Sequence, residues 1–269
     1  MKPLALAVVL LSGCSLYFDD PADPTPAPPP EPQPTSPTPP TTSYALTQTK
    51  AIAGELPVVG IDSDRAGGVW VAYRKPTTSY YENADVHIVH LDAAGTKLTD
   101  WLYQDEYTLV SGLAYDGSAL WLDYNSNTSA DNNHVRKLDA ATGDTLTGFA
   151  TEAGIVDVST RADTLLLSKA WNQIVILDDA NGGELARTPI DAFMYSTQLG
   201  IASWGDRTWV ASRASKELAL VDAAGKAVGH GSTTLLADFN YDNIKLAWDG
   251  TGLIMAIHNQ IIWLSVTPQ

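Results

Sequence analysis

Cysteine is nearly absent from this 269-residue sequence: Cys14 is the only one. No internal disulfide can form, so packing and hydrogen bonding alone must hold the fold. Basic residues are scarce as well, 16 Lys and Arg against 31 Asp and Glu, for a formal charge of −15. Phosphate backbones repel such a surface and no Lys/Arg cluster relieves it locally, so nucleic acid is excluded as an expected partner. Outside the amino terminus, no segment offers the 18 or more apolar residues that a spanning helix needs. G-x-S-x-G, H-E-x-x-H and P-loop motifs are also missing. Two stretches come close to calcium loops. In Asp62-Ser63-Asp64-Arg65-Ala66-Gly67, Ala66 stands where a third oxygen ligand is needed. Asp178 to Glu184 occupies a hairpin position, so both are read as turns. His87 and His90 are three apart on one strand and face opposite sides, which bars a shared metal. No cofactor is expected.

What is present is a repeat. Gly200 to Gly225 contains an apolar pair (Ile201, Ala202), a turn, a short strand at Trp209-Val210, and a strand ending Val221-Asp222-Ala223-Ala224-Gly225. The same order recurs with Leu113, Leu120-Trp121-Leu122 and Leu138-Asp139-Ala140-Ala141-Thr142-Gly143, and again with Ile61, Val69-Trp70-Val71 and Leu91-Asp92-Ala93-Ala94-Gly95. Val156, Leu165-Leu166-Leu167 and Leu177-Asp178 make another copy, and Leu246, Leu253-Ile254-Met255 and Trp263-Leu264 the last. The copies begin at 61, 113, 156, 201 and 246. Short strands at turn-punctuated spacing, repeated every 40 to 50 residues or so, predict an all-β, five-bladed β-propeller of four-stranded antiparallel blades, one repeat per blade.

Each blade reads as strands A (innermost) to D (outermost). Trp70, Trp121 and Trp209, with Leu166 and Ile254 at the equivalent position, are expected to pack between blades. Gly60, Gly112 and Gly200 open strand A, where crowding at the axis disfavours a side chain. Asp92, Asp139, Asp178 and Asp222 recur at one hairpin, where the carboxylate can bond the backbone two residues on. The fifth repeat stops after strand C. Tyr44 to Ile52 is the right length to supply its outer strand and so close the ring.

The amino terminus has a short basic start, an apolar run from Leu4 to Leu11, and Leu11-Ser12-Gly13-Cys14. This resembles the lipobox of bacterial lipoproteins. The resemblance implies cleavage before Cys14, with diacylation of its thiol (palmitate being the chain to look for). Ser15 after the cysteine favours the outer over the inner membrane by the sorting rule of such proteins. The domains then read as a signal peptide over 1–13, a lipidated cysteine and linker over 14–42, and the propeller over 43–269. Eleven residues between Pro21 and Pro40 are proline. That composition blocks helix and sheet and makes a spacer that holds the folded part off the lipid.

The blade pattern Asp116-Gly117-Ser118-Ala119-Leu120-Trp121-Leu122, then Leu138 to Gly143, is similar to that of NHL, streptogramin-lyase-like and quinoprotein-type propellers. The similarity implies the blade framework, and it carries over no catalytic residue. Of the strand A starts, only Asp62, Asp157 and Lys245 are ionisable. The expected function is therefore that of a lipid-anchored cell-envelope propeller, monomeric, binding a protein or glycan without catalysis. The alternative is a propeller enzyme (lactonase, lyase or quinone-type dehydrogenase) with an axial metal or cofactor. The longest B–C and D–A loops point to the recognition surface. Tyr80, Tyr81, Glu82, Asp105, Glu106, Tyr107, Tyr124 and Asp131 would form an acidic, tyrosine-rich sector on the face that carries these loops.

Overall fold

The computed structural model describes residues 41–75, 85–103, 108–126, 133–193, 199–212, 216–236 and 244–269. Its strands are β1 (Thr42–Ala53), then β2 (Val58–Ser63), β3 (Val69–Arg74), β4 (Val86–Leu91) and β5 (Lys97–Tyr103) of a first unit. A second unit has β6 (Thr108–Tyr115), β7 (Ala119–Ser126), β8 (His134–Asp139) and β9 (Thr145–Ala150). The third has β10 (Ile155–Arg161), β11 (Thr164–Lys169), β12 (Gln173–Asp178) and β13 (Glu184–Pro189). The fourth has β14 (Leu199–Trp204), β15 (Arg207–Ser212), β16 (Glu217–Val221) and β17 (Ala227–Ser232). The last has β18 (Ile244–Trp248), β19 (Gly252–Ile257) and β20 (Gln260–Pro268). Each of the first three units is an isolated four-stranded antiparallel sheet in chain order.

The last unit is completed by β1, which pairs antiparallel with β20 from Tyr44↔Pro268 to Ala53↔Gln260. The expectation of separate four-stranded blades is corrected at this point. β1 also pairs in parallel with β17 through Thr42 to Ala45, fusing two units into one eight-stranded sheet. The physical reason is edge protection: two outer edges that would stand open pair through one strand, bent by an irregularity between Gln48 and Lys50. Gly229 and Gly231 make room for it. A Cβ on them would lie 2.6 Å from Tyr44 Cε2 and 2.7 Å from Leu46 Cδ1.

The core is divided into five clusters, each drawn from two neighbouring units. Alternation along strand B decides the membership. Trp70 packs towards the second unit while Val69 and Val71 pack towards the last. Trp121 faces the third unit, and Leu120 and Leu122 face the first. Leu166 faces the fourth unit while Leu165 and Leu167 face the second. Both faces of these strands are buried, so they read as continuous apolar runs rather than as polar–apolar alternation. One cluster joins the last unit to the first through Ile254, Ala256 and Trp263 against Val69, Val71 and Val89. The innermost strands touch in the same cyclic order, β2 to β6, β10, β14, β18 and back to β2.

The recurring turn Asp residues act on the backbone. Asp92 Oδ1 accepts the amides of Ala94 and Thr96, each at 2.8 Å. Asp139 accepts those of Ala141 (2.8 Å) and Thr142 (2.9 Å), and Asp222 those of Ala224 (2.9 Å) and Lys226 (3.0 Å). Asp178 accepts that of Ala180 at 2.8 Å. Much of the acidic excess is thus committed to turn geometry.

Candidate functional site

Strand pairing aligns one layer of residues around the axis. Gly60, Gly112, Asp157, Gly200 and Lys245 on the innermost strands lie opposite Ala72, Asp123, Ser168, Ala211 and Ala256. The three glycines mark where neighbouring strands approach most closely. An added Cβ would meet Leu113 N at 2.5 Å, Val158 N at 2.7 Å and Ile244 O at 2.3 Å, respectively. Lys245 uses the space differently. Its ammonium crosses from the last unit to donate to the carbonyls of Ser111 and Val156, on the second and third units. Asp157 Oδ1 stands 3.8 Å from it. The other oxygen of Asp157 accepts the Ile201 amide of the fourth unit at 3.0 Å. Asp123 Oδ2 is hydrogen-bonded to the Ser111 hydroxyl, and its Oδ1 has no partner among the described residues.

Lys245 and Asp157 are each 1% exposed and Asp123 is 0% exposed. Burial pushes the Asp123 carboxyl up to about 7, against the Ser111 hydrogen bond and the Lys245 charge that pull it down. Asp157 is also raised by burial, partly offset by Lys245. Lys245 is lowered by the same desolvation and pulled back by the two carboxylates. Burial favours one ion pair, Lys245 with Asp157, beside a neutral Asp123 whose proton sits on Oδ2 and is donated to Ser111 Oγ, the Ser111 hydroxyl donating in turn to the Ile155 carbonyl (3.3 Å). Chemically this is a sealed staple that links units across the axis.

The opposite end of the axis opens. On the face of the A–B turns lies a cavity of about 470 Å³, lined by residues of four units that include Asp62, Ser159, Ser203 and Trp248. Asp62 accepts the amides of Ser63 (2.8 Å) and Tyr115 (2.7 Å). Burial pushes its carboxyl up to about 7, although both amides and Arg65 act the other way. The Ser159 and Ser203 hydroxyls lie 3.2 Å apart, and Ser159 Oγ also accepts the Ser203 amide at 3.2 Å.

Of the residues predicted to form the recognition sector, Tyr80, Tyr81, Glu82, Asp105, Glu106, Tyr107 and Asp131 lie outside the described residues, as does Cys14. Tyr124 is described, and it is not a surface residue. It lies within β7, is 2% exposed, stacks on His134 with ring centroids 5.4 Å apart, and carries the Arg136 guanidinium over its ring at 4.7 Å. The reason is strand length: β7 runs on to Ser126, paired with Thr108, where the polar composition suggested a loop. His87 and His90 point apart as expected, to Asp100 (3.2 Å) and Asp64 (2.9 Å). Sequence reasoning missed Asp123. The signal was available, since Ala72, Ser168, Ala211 and Ala256 occupy its position in the other units.

No protein-family model matches this sequence, and no curated protein matches it either. Among solved structures, the chain is similar to the glutaminyl cyclase of Myxococcus xanthus, with a TM-score of 0.65 at 9% identity, over 85% of this chain and 99% of that one. The fold is a β-propeller. At that identity the likeness extends to the fold alone. BamB from Moraxella catarrhalis aligns with a TM-score of 0.42 at 13% identity, over 82% of this propeller chain and 99% of that one.

Proposed function

We propose that this chain is a lipid-anchored cell-envelope protein whose five-bladed, NHL- or quinoprotein-type propeller binds a protein or glycan without turning it over. The observation that carries the reading is the state of the axial charges. An active site needs ionisable groups that a substrate can reach and whose proton or charge is free to act. Lys245, Asp157 and Asp123 are each at most 1% exposed, and their contacts are to backbone groups, to Ser111 and to one another. They are spent on the fold. Recognition then falls to the surface, and the predicted tyrosine-rich sector loses Tyr124, which is buried in β7.

The test uses the full-length chain in detergent. Cross-linking to envelope extract should yield one reproducible partner or glycan, and joint replacement of Tyr80, Tyr81 and Tyr107 by Ala should abolish the cross-link without moving the melting temperature. Turnover of a lactone or polysaccharide that is lost in a folded Lys245→Met protein would overturn the reading in favour of an axial enzyme.

A further inference from the structure

We infer that the open end of the axis, on the A–B-turn face, is a binding site for a small hydroxylated carboxylate of the size of an acidic sugar. The cavity there, about 470 Å³, lies within the range of small-molecule sites and is assembled from four different units. What it would take follows from which hydrogen-bonding groups are already used. Asp62 gives one oxygen to the Ser63 amide and the other to the Tyr115 amide. Asp249 Oδ1 takes the Thr251 amide (2.7 Å), the Thr251 hydroxyl (2.9 Å) and the Gly252 amide (2.7 Å). Asp62 thus serves the backbone through both oxygens, and Asp249 holds its own turn through Oδ1.

The two arginines differ. Arg65 is exposed and makes one long bond, 3.4 Å, to the Tyr115 carbonyl. Arg161 is held by Nη2, which donates to Arg207 O (2.7 Å) and Thr208 Oγ1 (2.6 Å), and its Nε is buried away from the cavity. The spare donor capacity in the cavity is therefore that of the exposed Arg65 guanidinium, a planar group suited to a carboxylate. The Ser159–Ser203 hydroxyl pair adds neutral polar contacts for a polyol. Trp248, seated on Trp204 with centroids 4.9 Å apart, gives the wall a flat indole for a sugar ring. The net charge of −15 opposes an anion at long range, but salt screens it beyond about 8 Å at physiological strength. This site sits at the opposite end of the axis from the loop-rich face and stands independently of it.

Isothermal titration of the full-length protein in detergent, with digalacturonate and with neutral digalactose as probes, decides the matter. Digalacturonate should saturate and bind at least about tenfold tighter than digalactose, and Arg65→Ala should remove most of that difference. Arg65 is exposed, so the variant should keep its melting temperature, and Arg65→Lys should recover only part of the binding. Equal binding of both sugars, an unchanged affinity in Arg65→Ala, or no saturation by either sugar up to about 20 mM would overturn the inference.

Discussion

The assignment of Asp123 as a neutral acid makes Asp123→Asn an unusual core substitution, because it should stabilise the protein in alkaline buffer. The folded carboxyl titrates near 7 rather than at its ordinary 3.8, so the folded state holds a proton that the unfolded chain releases. A raised carboxylate pKa contributes stability that is fully present below the unfolded value and is lost as pH rises to the folded one. Between pH 5 and pH 8 the loss attributable to Asp123 is about 1.4 kcal/mol for each of two pH units, roughly 3 kcal/mol in all. Full burial means that solvent screening does not reduce it. An Asn there keeps the shape, lets its amide meet Ser111, and has no proton to lose. Thermal unfolding at both pH values should show Asp123→Asn gaining on the wild type by roughly 6–12 °C between pH 5 and pH 8, using about 2–4 °C per kcal/mol for a domain of this size. Taking the difference between variant and wild type removes the contributions of Asp62 and of other groups that titrate in both. The groups facing Asp123, namely Ser111, Lys245 and Asp157, stay in place. If the two proteins lose stability in parallel over that range, Asp123 is ionised in the fold and the charge assignment at the axis is wrong.

Lys245→Met should behave oppositely, costing about 3–5 kcal/mol at pH 8 by leaving Asp157 buried without its cation, and less at pH 5, where Asp157 can protonate; denaturant titration at both pH values measures this, and a cost independent of pH would refute it. Gly112→Ala places a Cβ 2.7 Å from the Val158 backbone nitrogen, and the enforced shift should cost about 1–3 kcal/mol in the same assay. A chain beginning at Gly54 lacks β1 and exposes the edges of β17 and β20, so it should melt at least about 10 °C lower and associate on concentration; unchanged unfolding would rule out β1 as the closing strand. Cys14→Ser should move the protein from the membrane to the soluble fraction and abolish incorporation of labelled palmitate.

Most of the framework was legible because it rests on local chemistry that repeats. The Asp of each C–D turn, the apolar triplets of strand B and the glycines of strand A each specify one feature. A reader with the sequence alone can place all three. Tyr124 was read wrongly and Asp123 missed because Asp123-Tyr124-Asn125-Ser126 has a loop's composition, whereas its strand status comes from pairing with Thr108 to Gly112, which local composition does not encode. Alignment to the repeat would have corrected both, since Tyr73, the counterpart of Tyr124, is also buried, at 6% exposure. The β1–β17 pairing was hidden for a similar reason. Nothing local in Thr42–Ala45 announces a second partner, and the only trace is the pair of glycines in β17 that admits Tyr44 and Leu46.

The innermost strands are where the repeat departs most from itself, and a physical requirement accounts for it. Each inner strand turns one backbone edge to the axis, where its N–H and C=O groups need partners. Side chains of a neighbouring unit supply several of them. Asp62 takes the Tyr115 amide, Asp157 the Ile201 amide and Ser159 the Ser203 amide, each reaching from one unit to the next. Lys245 supplies the complementary donor to two carbonyls. Polar residues on an inner strand are thus explained first as edge partners, and a functional role has to be argued from capacity left over after that. By this criterion Lys245, Asp157 and Asp62 are structural, although their charge alone would nominate them as catalytic. Arg65, with one long bond, retains donors that the fold does not use. It lines the open cavity rather than the sealed layer, so a small anionic ligand is expected at that end of the axis, apart from the partner proposed for the loop-rich face.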